Sequence, residues 1–297
     1  MRPRRSAPRL ALRLGLRLAS VPAPARPRRD AYPSRPGWRA VPPERRVAWI
    51  TGGGRGIGRA TALALAPSCD VALSARSADE LRRVANECRK LGARAAEVPC
   101  DLTDAQAIEA AHGQVVAQLG APAILVNGAG QAKSAPFHRT TPELFEGLWR
   151  LNVLGCYHTM RLALPAMVGA GWGRVVNVAS IAGKTGQPYI SAYASSKHAL
   201  LGLTRSVALE VAAKGVTVNA VCPGYVDTPM TDESVENMVR VTGRPREEIV
   251  KSVVGMNPQR RLIEPEEVAA AIAYLVGPEA RGINGQAITI DGGATPW

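Results

Sequence analysis

VAWITGGGRGIGRATALALA, residues 47–66, decides the fold. VAWIT is an apolar run of strand length, and RATALALA after the glycines is rich in good helix formers. Strand, glycine turn and helix in direct succession let backbone N–H groups at a helix start approach a pyrophosphate. The spacing is T-G-x-x-x-G-x-G, with Gly52, Gly54, Gly56 and Gly58 in the turn and Arg55 and Ile57 between them. No G-K-[ST] follows, which argues against a P-loop nucleotidase.

Further apolar runs recur at 70–75 (DVALSA), 97–100 (EVPC), 123–127 (AILVN), 173–180 (GRVVNVAS), 216–224 (VTVNAVCPG) and 286–290 (QAITI). Helical stretches separate them, so the chain alternates β and α and predicts an α/β parallel sheet of seven strands. Ligands of such sheets bind beyond the carboxyl ends of the strands. Gly56, Asp101, Asn127, Ser180 and Pro223 all fall at those ends. The second strand ends at Ala75-Arg76, where NAD enzymes tend to place an acid for the ribose 2′-OH. With Arg55 in the turn, two cations and no carboxylate suit a 2′-phosphate, predicting NADP(H) over NAD(H). Asp101 has a competing reading, since it or Thr103 can cap the next helix.

The run SIAGKTGQPYISAYASSK, residues 180–197, carries the chemistry. It reads as a strand end with a hydroxyl, a loop, and a helix start with Tyr193 and Lys197 on one face, four apart. An ammonium beside a phenol favours the ionised form and lowers a pKa that starts near ~10. A phenol so tuned can give a proton to a carbonyl or take one from an alcohol. Upstream, 141–170 reads as one long helix broken by Pro165, with Asn152 in its middle among Leu151, Val153 and Leu154. Asparagine is mildly unfavourable there by propensity, so another role keeps it. A charged helical insertion with turn residues Gly243-Arg244-Pro245 lies within 225–262, where insertions form a lid.

Together these motifs resemble the short-chain dehydrogenases/reductases over about residues 47–293. In look the chain is similar to 3-oxoacyl-thioester (acyl-carrier-protein or acyl-CoA) reductases and polyketide ketoreductases. The resemblance implies a Rossmann-like doubly wound sheet in the order 3-2-1-4-5-6-7, and a catalytic tetrad of Asn152, Ser180, Tyr193 and Lys197. Asn152 then holds a proton-relaying water, and Lys197 also binds ribose hydroxyls. It implies cofactor contacts at the glycine turn and at Arg76, Asp101 and Leu102. Asn127, Ala129 and Gly130 match the family's N-N-A-G, with Gly128 in place of the second Asn, which predicts loss of a side-chain clamp between strands. Pro223 and Gly224 match a P-G motif against the nicotinamide, followed by Val226 and Thr228. A homotetramer built through the helices near Thr141 and Ser191 is implied by the same analogy. The expected activity is NADPH-dependent reduction of a 3-oxoacyl thioester. A 3-hydroxybutyrate or other secondary-alcohol dehydrogenase is the alternative. A silent NADP-binding protein is the reading of a different class, set against it by the complete tetrad.

Of the formal charge of +13, residues 1–46 carry +11, from 13 arginines against Asp30 and Glu44. The basic pI therefore belongs to a leader and does not mark the body as a nucleic-acid binder. The Arg/Leu periodicity of the leader reads as a mitochondrial presequence, or as translation from upstream of the native start. Its prolines predict disorder, and an RNA or anionic-membrane contact would rest on this segment alone. Without a genuine presequence the expected location is cytoplasmic. Cys69, Cys88, Cys100, Cys156 and Cys222 form no C-x-x-C pair, so reduced thiols are expected and no metal. No apolar run is long enough to span a bilayer.

Overall fold

A computed structural model of the chain describes residues 45–295; the readings of the leader lie outside them. Seven strands, β1 (Arg46–Thr51), β2 (Cys69–Ser74), β3 (Ala95–Glu97), β4 (Ile124–Asn127), β5 (Gly173–Val178), β6 (Val216–Pro223) and β7 (Ala287–Ile290), form one parallel sheet. Its order is the expected β3-β2-β1-β4-β5-β6-β7. The chain reverses its direction of travel across the sheet between β1 and β4, which opens a crevice beyond their carboxyl ends.

Helices alternate with the strands: α1 (Gly56–Leu65), α2 (Ala78–Lys90), α3 (Ala105–Leu119), α4 (Pro142–Trp149), α5 (Gly155–Ala170), α6 (Ser191–Val211), α7 (Pro229–Thr242), α8 (Arg246–Gly255) and α9 (Pro265–Val276). β1, β2, β4, β5 and β6 bury both faces, which is why they read as continuous apolar runs, whereas the short edge strands β3 and β7 are only partly covered. Ala48 and Ile50 of β1 join a core with α1, α2 and α9, whereas Val47 and Trp49 join one with α3, α5 and α6. Trp49 is fully buried and satisfies its indole N–H on Ser74 Oγ at 2.9 Å. The polar end of the ring is thus matched inside the core.

The stretch 141–170 departs from the expected single helix. α4 and α5 are joined by a π-helical segment, Arg150–Leu154, while Pro165 sits inside α5 without ending it. An inserted π turn re-aims side chains and recurs at functional sites; here it carries Asn152. The insertion at 225–262 forms α7 and α8, with Gly243 in the left-handed conformation between them. Val235, Ile249 and Val253 give it a small core of its own. Its ends meet where Val226 and Ile263 bridge, and Asp227 N–H donates to Ile263 O at 2.9 Å.

Candidate active site

The glycine turn is built by close backbone approach. A Cβ on Gly58 would lie 2.1 Å from Gly52 O, and one on Gly52, itself at φ +70°, would lie 2.8 Å from Ala129 N. α1 therefore starts tight against β1 and β4. Arg55 is its N-cap residue, its side chain makes no capping bond, and the first turn holds no acid. The N–H groups at this helix start have no side-chain cap, as an anion site requires.

Beyond the strand ends lies a crevice of about 710 Å³. Gly52, Gly54, Arg55, Gly56, Ile57, Arg76, Asp101, Leu102, Ala129, Gly130, Tyr193, Lys197, Pro223, Gly224, Val226 and Thr228 all line it. That size and mixed lining fit an elongated dinucleotide. Gly58 stands behind the turn as packing. Asp101 Oδ1 accepts from Thr103 N–H at 2.9 Å and Thr103 Oγ1 at 2.8 Å, which holds the carboxyl below its ordinary value. The cap of α3 is Asp104, so neither Asp101 nor Thr103 fills that role. The corner near Arg76 also holds a carboxylate that the sequence did not announce. Glu80, in the first turn of α2, lines the crevice beside Gly54.

Asn127 ends β4, as expected, and its side chain is engaged within the core. It is buried, and its Nδ2 donates to Asn177 Oδ1 at 2.9 Å while its Oδ1 accepts from Thr159 Oγ1 at 2.7 Å. Asn177 Nδ2 donates in turn to Thr204 Oγ1 of α6 at 2.9 Å. The clamp between neighbouring strands is therefore present despite Gly128, because Asn127 and Asn177 sit side by side in register on β4 and β5. A Cβ at Gly128 would meet Thr51 O at 2.8 Å, so the turn itself excludes a larger residue there.

Ser180, Tyr193 and Lys197 converge where the crevice meets a second cavity of about 430 Å³ under α7. Ser180 and Tyr193 line both spaces. Ser180 Oγ accepts from Ala182 N–H at 3.1 Å, which fixes the hydroxyl at the strand end. Lys197 is 4% exposed; its Nζ donates to Val178 O at 2.8 Å and lies 5.8 Å from the centre of the Tyr193 ring. Asn152 is fully buried: its Oδ1 accepts from Gln131 N–H, and its Nδ2 donates to Gln131 O and Ser196 Oγ, all at 3.0 Å. It ties the loop after β4 to α6, one residue before Lys197. A Cβ at Gly130 would lie 3.1 Å from Asn152 Oδ1 and 3.5 Å from Lys197 Nζ, so the loop lets both approach.

The expected lowering of the tyrosine is corrected. Burial pushes the Tyr193 phenol above its ordinary value, and contact with the Ser180 hydroxyl pulls only partly back. Lys197 is itself lowered by burial, with the buried Cys156 and Cys222 thiols near it opposing that shift. Desolvation disfavours both charges and outweighs the four-residue spacing. The phenol consequently stays protonated at neutral pH.

Gln131, Ser196 and the partners of Asn127 in its buried chain, Thr159, Asn177 and Thr204, escaped the sequence reading. Gln131 directly follows Gly130 and was within reach of it; the others are joined across long sequence separations. All five cysteines are free and buried, and among the described residues no group of His, Cys, Asp or Glu could hold a metal. Among the same residues no helix is long and apolar enough to cross a membrane.

Known proteins resemble this chain over most of its length. The short chain dehydrogenase family model matches residues 46–239. D-beta-hydroxybutyrate dehydrogenase of Rhizobium meliloti (strain 1021) is 37% identical over 254 residues, covering 84% of this chain and 98% of that protein. Acetoacetyl-CoA reductase of the same organism is 36% identical over 252 residues, with 84% and 98% covered. A tryptophan variant of actinorhodin polyketide ketoreductase, solved with NADPH, superposes with a TM-score of 0.82 at 35% identity, with 85% and 98% covered.

Proposed function

Because this chain belongs to the short-chain dehydrogenase family, we propose that it reduces a ketone to a secondary alcohol with NADPH, the ketone being the 3-oxo group of an acyl thioester. The observation that carries the reading is the convergence of Ser180 and Tyr193 at the junction of the two cavities, with Lys197 beside the Tyr193 ring.

The substrate oxygen lies between Ser180 Oγ and the Tyr193 phenol in this reading. Bound reduced nicotinamide supplies the hydride. Ser180 orients and polarises the carbonyl, and Tyr193 donates the proton that completes the alcohol. Lys197, anchored on Val178 O, faces the ribose hydroxyls, and Asn152, tied to the Gln131 backbone, holds the water that relays protons to Lys197. Gly52, Gly54, Gly56 and Ile57 cradle the pyrophosphate at the start of α1. Arg55 and Arg76 hold the 2′-phosphate, Asp101 and Leu102 border the adenine, and Ala129 and Gly130 border the ribose. Pro223, Gly224, Val226 and Thr228 flank the nicotinamide, and α7 and α8 cover the substrate.

The relatives support the thioester: one is an acetoacetyl-CoA reductase and a structural neighbour is a polyketide ketoreductase bound to NADPH. Oxidation of a 3-hydroxy acid is a second reading. Lys133, whose side chain lines both cavities, could pair with a free carboxylate, and D-beta-hydroxybutyrate dehydrogenase is among the relatives. We further propose a homotetramer in a reducing compartment, the cytoplasm. Phe145 of α4, Leu154 at the end of the π segment and Tyr157 of α5 are exposed apolar side chains, Leu209 is 81% exposed on α6, and the five thiols are unpaired.

Loss of absorbance at 340 nm with acetoacetyl-CoA tests the reading. Rapid loss with NADPH and slow loss with NADH is expected. Activity confined to free 3-hydroxybutyrate and oxidised cofactor would replace it by the second reading.

A further inference from the structure

The cation assigned to the 2′-phosphate already has a partner. Arg55 Nη2 lies 3.1 Å from Oε1 of Glu233, a residue 178 positions away in the chain, on α7. Both side chains line the crevice and are about half exposed, at 50% and 58%. Arg55 is thereby turned toward α7, whereas Arg76, at the end of β2, lines the same crevice with its charge acting on Asp101. A second polar link, Asn237 Nδ2 to Ser134 Oγ at 2.9 Å, joins the same helix to the loop after β4.

We propose that Glu233 is a cofactor-specificity residue: its carboxylate competes with the 2′-phosphate of NADPH for Arg55. The inference rests on the assignment of NADPH above. A 2′-phosphate carries a charge of about −1.5 to −2 at neutral pH and offers three acceptor oxygens. Glu233 offers one charge through a single contact, so the phosphate takes the guanidinium, which suits its fork geometry. NADH has no such group and leaves the Arg55–Glu233 pair in place. Binding of NADPH therefore releases Glu233 from Arg55, and binding of NADH does not. Glu233 narrows the preference that Arg55 and Arg76 create.

The test is calorimetric titration of NADPH and of NADH into the full chain, as wild type, Glu233→Gln, Arg55→Met and the double variant. Glu233→Gln should tighten NADPH by roughly two- to five-fold, the range for releasing a half-exposed ion pair, and leave NADH unchanged. In the Arg55→Met background the same substitution should have no effect on NADPH. Equal tightening of both cofactors would overturn the proposal, because Glu233 would then act by repelling the diphosphate that they share. An unchanged NADPH affinity in Glu233→Gln, with Arg55→Met still weakening NADPH alone, would also overturn it. If Arg55→Met weakens neither cofactor selectively, the assignment of Arg55 to the 2′-phosphate fails instead.

Discussion

Truncating Asn127 to alanine tests whether the buried side-chain chain beneath the site is a structural clamp. In the folded protein Asn127 bridges Thr159 of α5 and Asn177 of β5, and Asn177 continues to Thr204 of α6. After Asn127→Ala, the single Thr159 hydroxyl proton can turn to Cys156 O or Gly155 O, both within reach of Oγ1, and Asn177 Nδ2 keeps Thr204. The Oδ1 of Asn177 is left buried without its donor. One orphaned acceptor costs about 1–3 kcal/mol, which for a domain of this size lowers Tm by roughly 2–12 °C. Asn177→Ala should cost a similar amount, because it orphans Asn127 Nδ2. The double variant removes both ends of the bond and leaves neither group unpaired. Its loss should fall short of the sum of the single losses by about 1 kcal/mol or more, as coupled neighbours do. Urea unfolding followed by fluorescence gives all three values. Additivity within ~0.5 kcal/mol would refute the clamp and leave the two asparagines as independent packing residues.

The glycine turn and the tyrosine make two further predictions. Gly58→Ala forces a Cβ to within 2.1 Å of Gly52 O, so NADPH binding should weaken at least ~10-fold by calorimetry through overpacking. Gly113→Ala meets nothing within 4 Å inside α3 and should stabilise the fold by about 0.5–1 kcal/mol; equal affinities in the two variants would contradict the close approach. Because Tyr193 is raised above its ordinary value and donates as the neutral phenol, reduction should be lost only as pH rises past that raised value, above ~10. Ser180→Ala removes the contact that lowers it and should shift the alkaline limb of kcat/KM further up, and a limb near neutrality would contradict the assignment.

How legible the molecule was depended on how local each signal is. The central strands announced themselves because both of their faces are covered, and the glycine turn did so because α1 must start against β1. The edges were read less well: β3 is Ala95–Glu97 and overlaps the run at 97–100 only at Glu97, and β7 is only partly buried. The convergence of Ser180, Tyr193 and Lys197 was readable because all three lie within residues 180–197. What the sequence hid depends on pairings between distant segments. The clamp was misjudged at Gly128 because its true partner, Asn177, lies on β5 and is brought beside Asn127 only by strand register. Glu80 enters the cofactor corner because a helical turn folds it back toward Gly54, so inspecting the strand end alone missed it. The four-residue spacing of Tyr193 and Lys197 gave their proximity correctly but not the direction of the tyrosine shift, which desolvation decides. The π segment at Asn152 has no compositional mark; only the odd polar residue in an apolar helix pointed to it.

The most direct measurement is Tyr193→Phe, read by turnover at 340 nm and by calorimetric NADPH binding on the same preparation. The account predicts that turnover with acetoacetyl-CoA disappears while NADPH affinity stays within about two-fold of wild type, because the variant removes a proton and not a packing surface. Retained turnover would contradict it, since another group would then protonate the substrate oxygen.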